Sequence, residues 1–169
     1  MQKTKESIKR ASLHDLDTLL DIYETCNDWL LKKGMNHWQG VYSREVVSQR
    51  IKEMDVYIIY EKDLPVGTIS LSNKPSSFYR ETDMAFFKDK NAPAIYLRGL
   101  AILPGHQGKG LASKLMAFAE QKVKEKGIPY IRFDSVGFEY FDKFNASYLR
   151  KGYHVVGKRG NSLFFEKIL

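Results

Sequence analysis

Seven residues constrain this chain more than any others: Pro104-Gly-His-Gln-Gly-Lys-Gly110, with glycine at three of its last six positions. Before them runs an apolar stretch, Ala94 to Leu103, interrupted at Arg98-Gly99. After them Leu111, Leu115, Phe118 and Val123 recur at helical spacing. Small residues at such a strand-to-helix junction let successive backbone N–H groups turn towards one point. The helix N-terminus adds about half a positive charge, so the junction suits a pyrophosphate. Gly127 and Pro129 end that helix, and Tyr130-Ile-Arg-Phe-Asp134 reads as the next strand. A fold for this chain must therefore contain one strand–loop–helix–strand unit beyond its middle.

The flanks are different. Ser7-Ile-Lys-Arg-Ala11 reads as a short opening strand. Ser12 with Asp15 three residues on forms a capping-box pair, and Leu16, Leu19, Leu20 and Tyr23 mark the buried face of a helix. Trp29-Leu-Leu-Lys-Lys-Gly34 reads as a second helical piece stopped by Gly34, and Ser43 caps another helix that carries Val47, Ile51 and Met54. The period then changes. Val56 to Tyr60 and Val66 to Leu71 flank the turn Lys62-Asp-Leu-Pro65, which makes an antiparallel hairpin. Residues 73–93 are polar and hold two prolines, which predicts a long exposed connection. Gly99 marks a bulge or a close approach in the third strand. A helix around residues 139–151 stops at Gly152, and Tyr153 to Val156 and Ser162 to Ile168 close the chain as two strands. The expected class is α/β (or α+β), a mixed, mostly antiparallel twisted sheet flanked by helices, in a single domain over residues 1–169.

Composition narrows the partners. With 43% hydrophobic and 28% charged residues, the 169-residue chain matches ordinary globular usage and can bury its own core. The longest apolar runs, such as Val56 to Tyr60, are strand-sized, far short of the ~20 residues that span a bilayer. The polar start Met1-Gln-Lys-Thr-Lys-Glu lacks the apolar stretch of a signal peptide. We expect a cytoplasmic chain with no membrane partner. Cys26 is the only cysteine and the four histidines are scattered, so neither an internal disulfide nor a metal site is expected. The 27 basic and 20 acidic residues give +7, which favours anionic partners. A nucleic-acid-binding module rests on that charge alone, since no arginine-rich or aromatic-interleaved basic stretch accompanies it; no nucleic acid is expected.

Three readings of the glycine loop compete. A Walker-type loop needs four residues between its first Gly and the Gly-Lys, then a hydroxyl residue; here Gly105 is three before Gly108, and Gly110 follows Lys109. A dinucleotide fingerprint would use Gly108-x-Gly110, with Ser113 in place of the third glycine and Asp134 ending the next strand, but about 60 residues remain for a fold that needs several more parallel strands. The third reading is a resemblance. Leu100-Ala-Ile-Leu-Pro104 followed by Gln107-Gly-Lys-Gly110-Leu-Ala112 resembles the acetyl-CoA signature of the GNAT N-acetyltransferases. Tyr148-Leu-Arg-Lys-Gly152-Tyr153 and Ile8-Lys-Arg-Ala-Ser-Leu-His-Asp15 resemble the family's later segment and its opening, in the right order.

The resemblance implies acetyl-CoA as co-substrate and a splayed central strand pair that admits its pantetheine arm. Backbone groups of Leu100, Ala101 and Ile102 would face that arm, one amide stabilising the developing oxyanion. The amides of Gln107, Gly108, Lys109, Gly110, Leu111 and Ala112 would hold the pyrophosphate, with Lys109 adding a point charge. Tyr148 is the implied general acid for the leaving thiol. Asn145 lies one turn before it and is an implied pantetheine ligand, although the commoner family position, seven before the tyrosine, is Phe141 here.

Several points stay open. The general base is one of Glu81, Asp83, Asp134 or Glu139, each equally readable as a plain surface carboxylate. His37, in Gly34-Met-Asn-His-Trp38-Gln39, would line the acceptor side, and His106 reads as a solvated loop residue. The main reading is acetyl transfer to a primary amine by direct attack, with Cys26 a poor nucleophile; the alternative is a non-catalytic acyl-CoA-binding or regulatory domain. A basic protein repels polyamines, which favours an amine-bearing small molecule or a peptide or protein N-terminus as partner. The family habit adds a homodimer as an expectation.

Overall fold

The computed structural model describes residues 5–169; Met1–Thr4, part of the start read above as lacking a leader, lies outside the described residues. Seven strands run in the order β1-β2-β3-β4-β5-β7-β6. The pairs β1–β2, β2–β3, β5–β7 and β7–β6 are antiparallel and β4–β5 is parallel. These strands are β1 Glu6–Arg10, β2 Asp55–Glu61, β3 Leu64–Ser72, β4 Ala94–Ile102, β5 Tyr130–Val136, β6 His154–Arg159 and β7 Ser162–Ile168. The helices are α1 Leu16–Lys32, α2 Arg44–Glu53, the four-residue α3 Glu81–Met84, α4 Leu111–Glu125 and α5 Asp142–Arg150. This is the mixed, mostly antiparallel α/β class that the strand and helix periods predict. The chain divides into two compact units, the residues up to Ser72 with Arg98–Ala119, and Asn73–Leu97 with Glu120–Leu169.

In the first unit a short helical turn over Leu13–Asp15 leads into α1 and is capped as predicted, the Ser12 N–H donating to Asp15 Oδ2 at 2.8 Å. The buried face of α1 is Leu19, Leu20, Ile22, Tyr23, Cys26 and Leu30, packed with Val56, Ile58 and Ala101. Truncating a fully buried leucine there, such as Leu19, costs about 2–5 kcal/mol. The separate piece expected at Trp29–Gly34 is the end of this same 17-residue helix. Nothing in Glu24 to Asp28 breaks a helix, so the apolar stripe runs on to Leu30. Gly34, at φ +79°, then stops it: the N–H groups of Gly34 and Met35 close onto the Leu31 and Leu30 carbonyls. Ser43 caps α2, its Oγ accepting from the Val46 N–H at 3.2 Å. The β2–β3 hairpin turns at Lys62-Asp63.

In the second unit β4 and β5 are in register over Ala94↔Tyr130, Ile95↔Ile131 and Tyr96↔Arg132. Antiparallel β7 then follows β5 from Tyr130↔Ile168 to Val136↔Ser162. Residues 73–93 form the long, mostly exposed connection that their polarity predicts, with two buried exceptions. Phe87 is buried against Tyr96 and Phe164, and Asp83 is buried with its carboxylate on Arg159. The buried Arg132 donates to Glu166 Oε2 at 2.8 Å, to the Tyr96 hydroxyl and to the Asp89 carbonyl, which ties residues 88–89 to the sheet. Asp83, Arg132 and Glu166 are internal because each has a partner.

Candidate functional site

The loop after β4 is built from its ends inwards. The Leu103 N–H reaches the Val66 carbonyl at 2.9 Å, and a tight turn over Pro104–His106 follows. The Gln107 side chain folds back, Nε2 donating to the Ile102 carbonyl at 3.1 Å. Its own N–H closes the turn onto Pro104 at 3.4 Å, so that amide serves the turn rather than the cradle. Gly108 and Gly110 adopt φ +79° and +80°, which turns the amides around Lys109 out of a strand path. A Cβ added at either would meet nothing within 4 Å, so the space beside both glycines is open. Leu111, fully buried, pins the start of α4, and Lys114 N–H to Gly110 O (3.1 Å) is its opening turn. The first-turn N–H groups of Leu111, Ala112 and Ser113 have no intrahelical acceptor, and the first turn of α4 carries no acidic side chain. Such an array of donors fits a phosphate group.

Two side chains here face Glu61. His106 is not solvated: its Nδ1 lies 2.6 Å from Glu61 Oε1, a side chain mostly buried at the end of β2. Lys109 also points at Glu61, 3.6 Å away, while about half exposed. The His106 hydrogen bond, followed by the Lys109 charge, holds the Glu61 carboxyl below its ordinary range. Glu61 is a loop-positioning residue that sequence reasoning missed, because the contact closes 45 residues apart.

Leu100, Ala101 and Ile102 lie on the second half of β4. Ala101 and Ile102 are buried, and a Cβ on Gly67 of β3 would sit 2.7 Å from the Ala101 carbonyl oxygen, which shows how closely the strands approach. Cys26 Sγ donates to the Ile102 carbonyl at 3.4 Å, and burial pushes its thiol up to about 12, which makes it a poor nucleophile at neutral pH. At Gly99, at φ +61°, the close approach is present: an added Cβ would stand 2.5 Å from the Tyr23 hydroxyl and 2.7 Å from Arg50 Nη1. The Tyr23 hydroxyl donates to the Gly99 carbonyl at 3.0 Å. Tyr42 stacks on Tyr23 (3.9 Å, 1°), and Trp38 meets both edge-on. His37 lies beside Trp38, and burial lowers its pKa. Arg50 of α2 completes this cluster, its guanidinium 4.9 Å from the Tyr42 ring centre. Its spacing, three after Val47 on the buried face, was the signal that could have found it.

Tyr148 and Asn145 belong to α5 in the second unit. Tyr148 packs edge-on against Phe133 (4.9 Å) and Phe165 (5.4 Å). Its carbonyl accepts the Tyr153 N–H while the Gly152 N–H reaches Leu149. This glycine closure accounts for the Tyr-x-x-x-Gly-Tyr spacing: the tyrosine four before the glycine is fixed by the helix stop itself. Burial pushes the Tyr148 phenol up to about 12. Asn145 is buried and used at both ends of its amide: Oδ1 accepts from Ser135 Oγ at 2.8 Å, and Nδ2 donates to the Val136 carbonyl at 3.0 Å. Phe141 closes the short turn before α5.

The four carboxylates differ sharply. Asp83 is fully buried, with both oxygens on Arg159 Nε (2.9 and 3.0 Å); that hydrogen bonding keeps it ionised and occupied, so its role is structural. Glu81 is exposed and paired with Lys90 at 2.7 Å. Asp134 is exposed and accepts from the Tyr79 hydroxyl at 2.9 Å, and Glu139 is exposed at the start of a short helical turn. Among the described residues no group of three or more His, Cys, Asp or Glu is placed to hold a metal ion, and no helix is long and apolar enough to cross a membrane.

Comparison with known proteins bears on this geometry. The model of the acetyltransferase (GNAT) family matches residues 16–137. An uncharacterized N-acetyltransferase of Bacillus subtilis (strain 168), YesJ, is 24% identical over 161 residues, covering 93% of this chain and 87% of its own. The crystal structure of the PaiA N-acetyltransferase from Thermoplasma acidophilum in complex with coenzyme A superposes with a TM-score of 0.77 at 18% identity, over 98% of this chain and 99% of that one. A GNAT-family acetyltransferase from Listeria monocytogenes 4b F2365 gives 0.78 at 22% identity, over 97% and 95%.

Proposed function

This chain belongs to the GNAT acetyltransferase family, and on that footing we propose that it transfers the acetyl group of acetyl-CoA to a primary amine by direct attack. The observation that carries the reading is the open cradle at Gly108 and Gly110 ahead of a 15-residue helix with no acidic first turn. Acetyl-CoA, when bound, supplies an activated acetyl thioester. The amides of Gly108 to Ala112 hold its pyrophosphate, with the α4 dipole and Lys109 opposing the negative charge. The coenzyme A in the PaiA structure supports a CoA ligand here.

The chain's own residues supply three further functions. An amide among Leu100, Ala101 and Ile102 donates to the thioester carbonyl oxygen, and it gains strength as negative charge develops there. Tyr148 hands its phenolic proton to the departing thiolate. With a pKa near 12 the phenol stays protonated throughout the physiological range, as a general acid must. Asn145 is proposed to use the remaining Nδ2 hydrogen on the pantetheine arm while its other bonds hold α5 to β5. The attacking amine must be neutral, and Asp134 or Glu139, both exposed, takes its proton through water. The acceptor is an amine-bearing small molecule or a peptide or protein N-terminus, and the proposed setting is the cytoplasm with residues 1–169 acting as one domain.

The test is a thiol-release assay with acetyl-CoA and a panel of amines. Release that depends on a primary amine, and falls in Tyr148→Phe without loss of acetyl-CoA binding, is the expected result. Binding without release for any amine would replace the enzyme with an acyl-CoA-binding domain.

A further inference from the structure

Arg50 is the least explained side chain in the molecule. It is only 7% exposed, yet its Nε and Nη1 are buried without a hydrogen-bond partner among the described residues. The other arginine that is wholly internal, Arg132, spends its donors on Glu166, Tyr96 and Asp89. A guanidinium does not escape burial by losing its proton, and an ion left unpaired inside a protein costs several kcal/mol. Natural chains keep such a group where something outside the fold completes it.

Its surroundings indicate what that is. Tyr42 lies on the face of the guanidinium at 4.9 Å, so the cation–π contact uses the face and leaves the in-plane donors unused. Trp38 and Tyr42 come from the stretch between α1 and α2, outside helix and strand, and each keeps part of its surface exposed. Nη1 lies 2.7 Å, and the Tyr23 hydroxyl 2.5 Å, from the point where a Gly99 Cβ would stand. The unused Nη1 therefore sits against Gly99, one residue before Leu100, where the thioester carbonyl is held in the reading above.

We propose that the acceptor carries a carboxylate, and that Arg50 is the specificity residue that binds it, with Tyr23, Trp38 and Tyr42 walling the acceptor side. This rests on the acetyl-transfer reading and narrows its substrate class to amino acids or other amines that bear an acid. The guanidinium's planar in-plane donors match a carboxylate. A polyamine brings a further cation to Arg50 and is excluded.

The experiment compares matched acceptors, L-phenylalanine against phenethylamine and L-ornithine against putrescine, in the thiol-release assay. It uses the wild-type chain, Arg50→Met and Arg50→Lys, with melting temperature and acetyl-CoA titration on each. The acids are expected to exceed the decarboxylated amines in kcat/KM. Arg50→Met should lower the acids by about 30-fold or more through KM, and the amines by far less, with Arg50→Lys recovering part. The melting temperature of Arg50→Met should rise, because an apolar side chain replaces an unpaired buried charge. Faster turnover of putrescine or phenethylamine than of the acids overturns the proposal while leaving acetyl transfer standing. A fall in melting temperature for Arg50→Met also overturns it, since the guanidinium would then be a structural contact. Failure of acetyl-CoA to bind sinks the acetyl-transfer reading instead; Trp38 fluorescence titrated with the same amino acids then decides Arg50, saturable and lost in Arg50→Met if it binds acids, flat if it does not.

Discussion

Gly99 and Gly108 share a left-handed backbone and differ in what surrounds them, so alanine at each separates strain from space. At Gly108 (φ +79°) the added Cβ meets nothing within 4 Å, and only the conformational cost of about 1–2 kcal/mol applies. At Gly99 (φ +61°) the same cost is joined by contacts of 2.5 Å to the Tyr23 hydroxyl and 2.7 Å to Arg50 Nη1. Tyr23 cannot yield easily, being stacked on Tyr42 and bonded to the Gly99 carbonyl. Overpacking of this kind adds about 1–3 kcal/mol, so Gly99→Ala should lose about 2–5 kcal/mol in all. For a chain of this length 1 kcal/mol moves the melting temperature by roughly 2–4 °C. Thermal unfolding of the two variants should therefore differ by several degrees, Gly99→Ala being the lower. Binding should rank them the other way. The Gly108 Cβ enters the space the phosphates need, and the loss of one charge-assisted hydrogen bond weakens acetyl-CoA by about 10- to 100-fold. Equal melting temperatures, or a Gly108→Ala protein that binds acetyl-CoA as well as the parent, would refute the reasoning.

Other predictions follow from single groups. Tyr148→Phe keeps the ring on Phe133 and Phe165, so its melting temperature should stay close to the parent's while kcat falls by about 10²- to 10⁴-fold. Because burial raises the phenol to about 12, its acid form is complete below that value and lost only above it. The pH profile of kcat/KM should accordingly rise as the amine deprotonates, with no descending limb between pH 7 and 10; a limb in that window would exclude Tyr148 as the proton donor. Glu166→Ala strands the buried Arg132 and frees the Lys88 N–H that Glu166 Oε1 accepts, so urea unfolding should show a loss of about 3–5 kcal/mol.

What could be read from the residues alone was whatever local chemistry decides. The glycine loop, the Ser12 and Ser43 caps and the stops at Gly34, Gly127 and Gly152 are set within six residues of chain, and all of them stand where periodicity and capping place them. The failures have two causes: no residue marks where α1 continues past Glu24 to Asp28, and partners distant in sequence bury single polar groups. Residues 73–93 are mostly exposed as their polarity predicts, yet Asp83 within them is buried because its partner Arg159 lies 76 residues away in sequence. His106 was misread for the same reason, since Glu61 is invisible from its neighbourhood. The proposed site divides in the same way: the glycine loop is a local motif, whereas the cluster of Tyr23, Trp38, Tyr42, Arg50 and Gly99 is assembled from residues whose types carry no shared pattern.

The central claim is that the glycine loop is an acetyl-CoA site. Isothermal titration of acetyl-CoA into the folded protein, with NADH as the control ligand, tests it most directly. Micromolar, saturable heat with acetyl-CoA and none with NADH is the predicted result. Heat with NADH and none with acetyl-CoA would contradict the account and restore the dinucleotide reading of Gly108-x-Gly110.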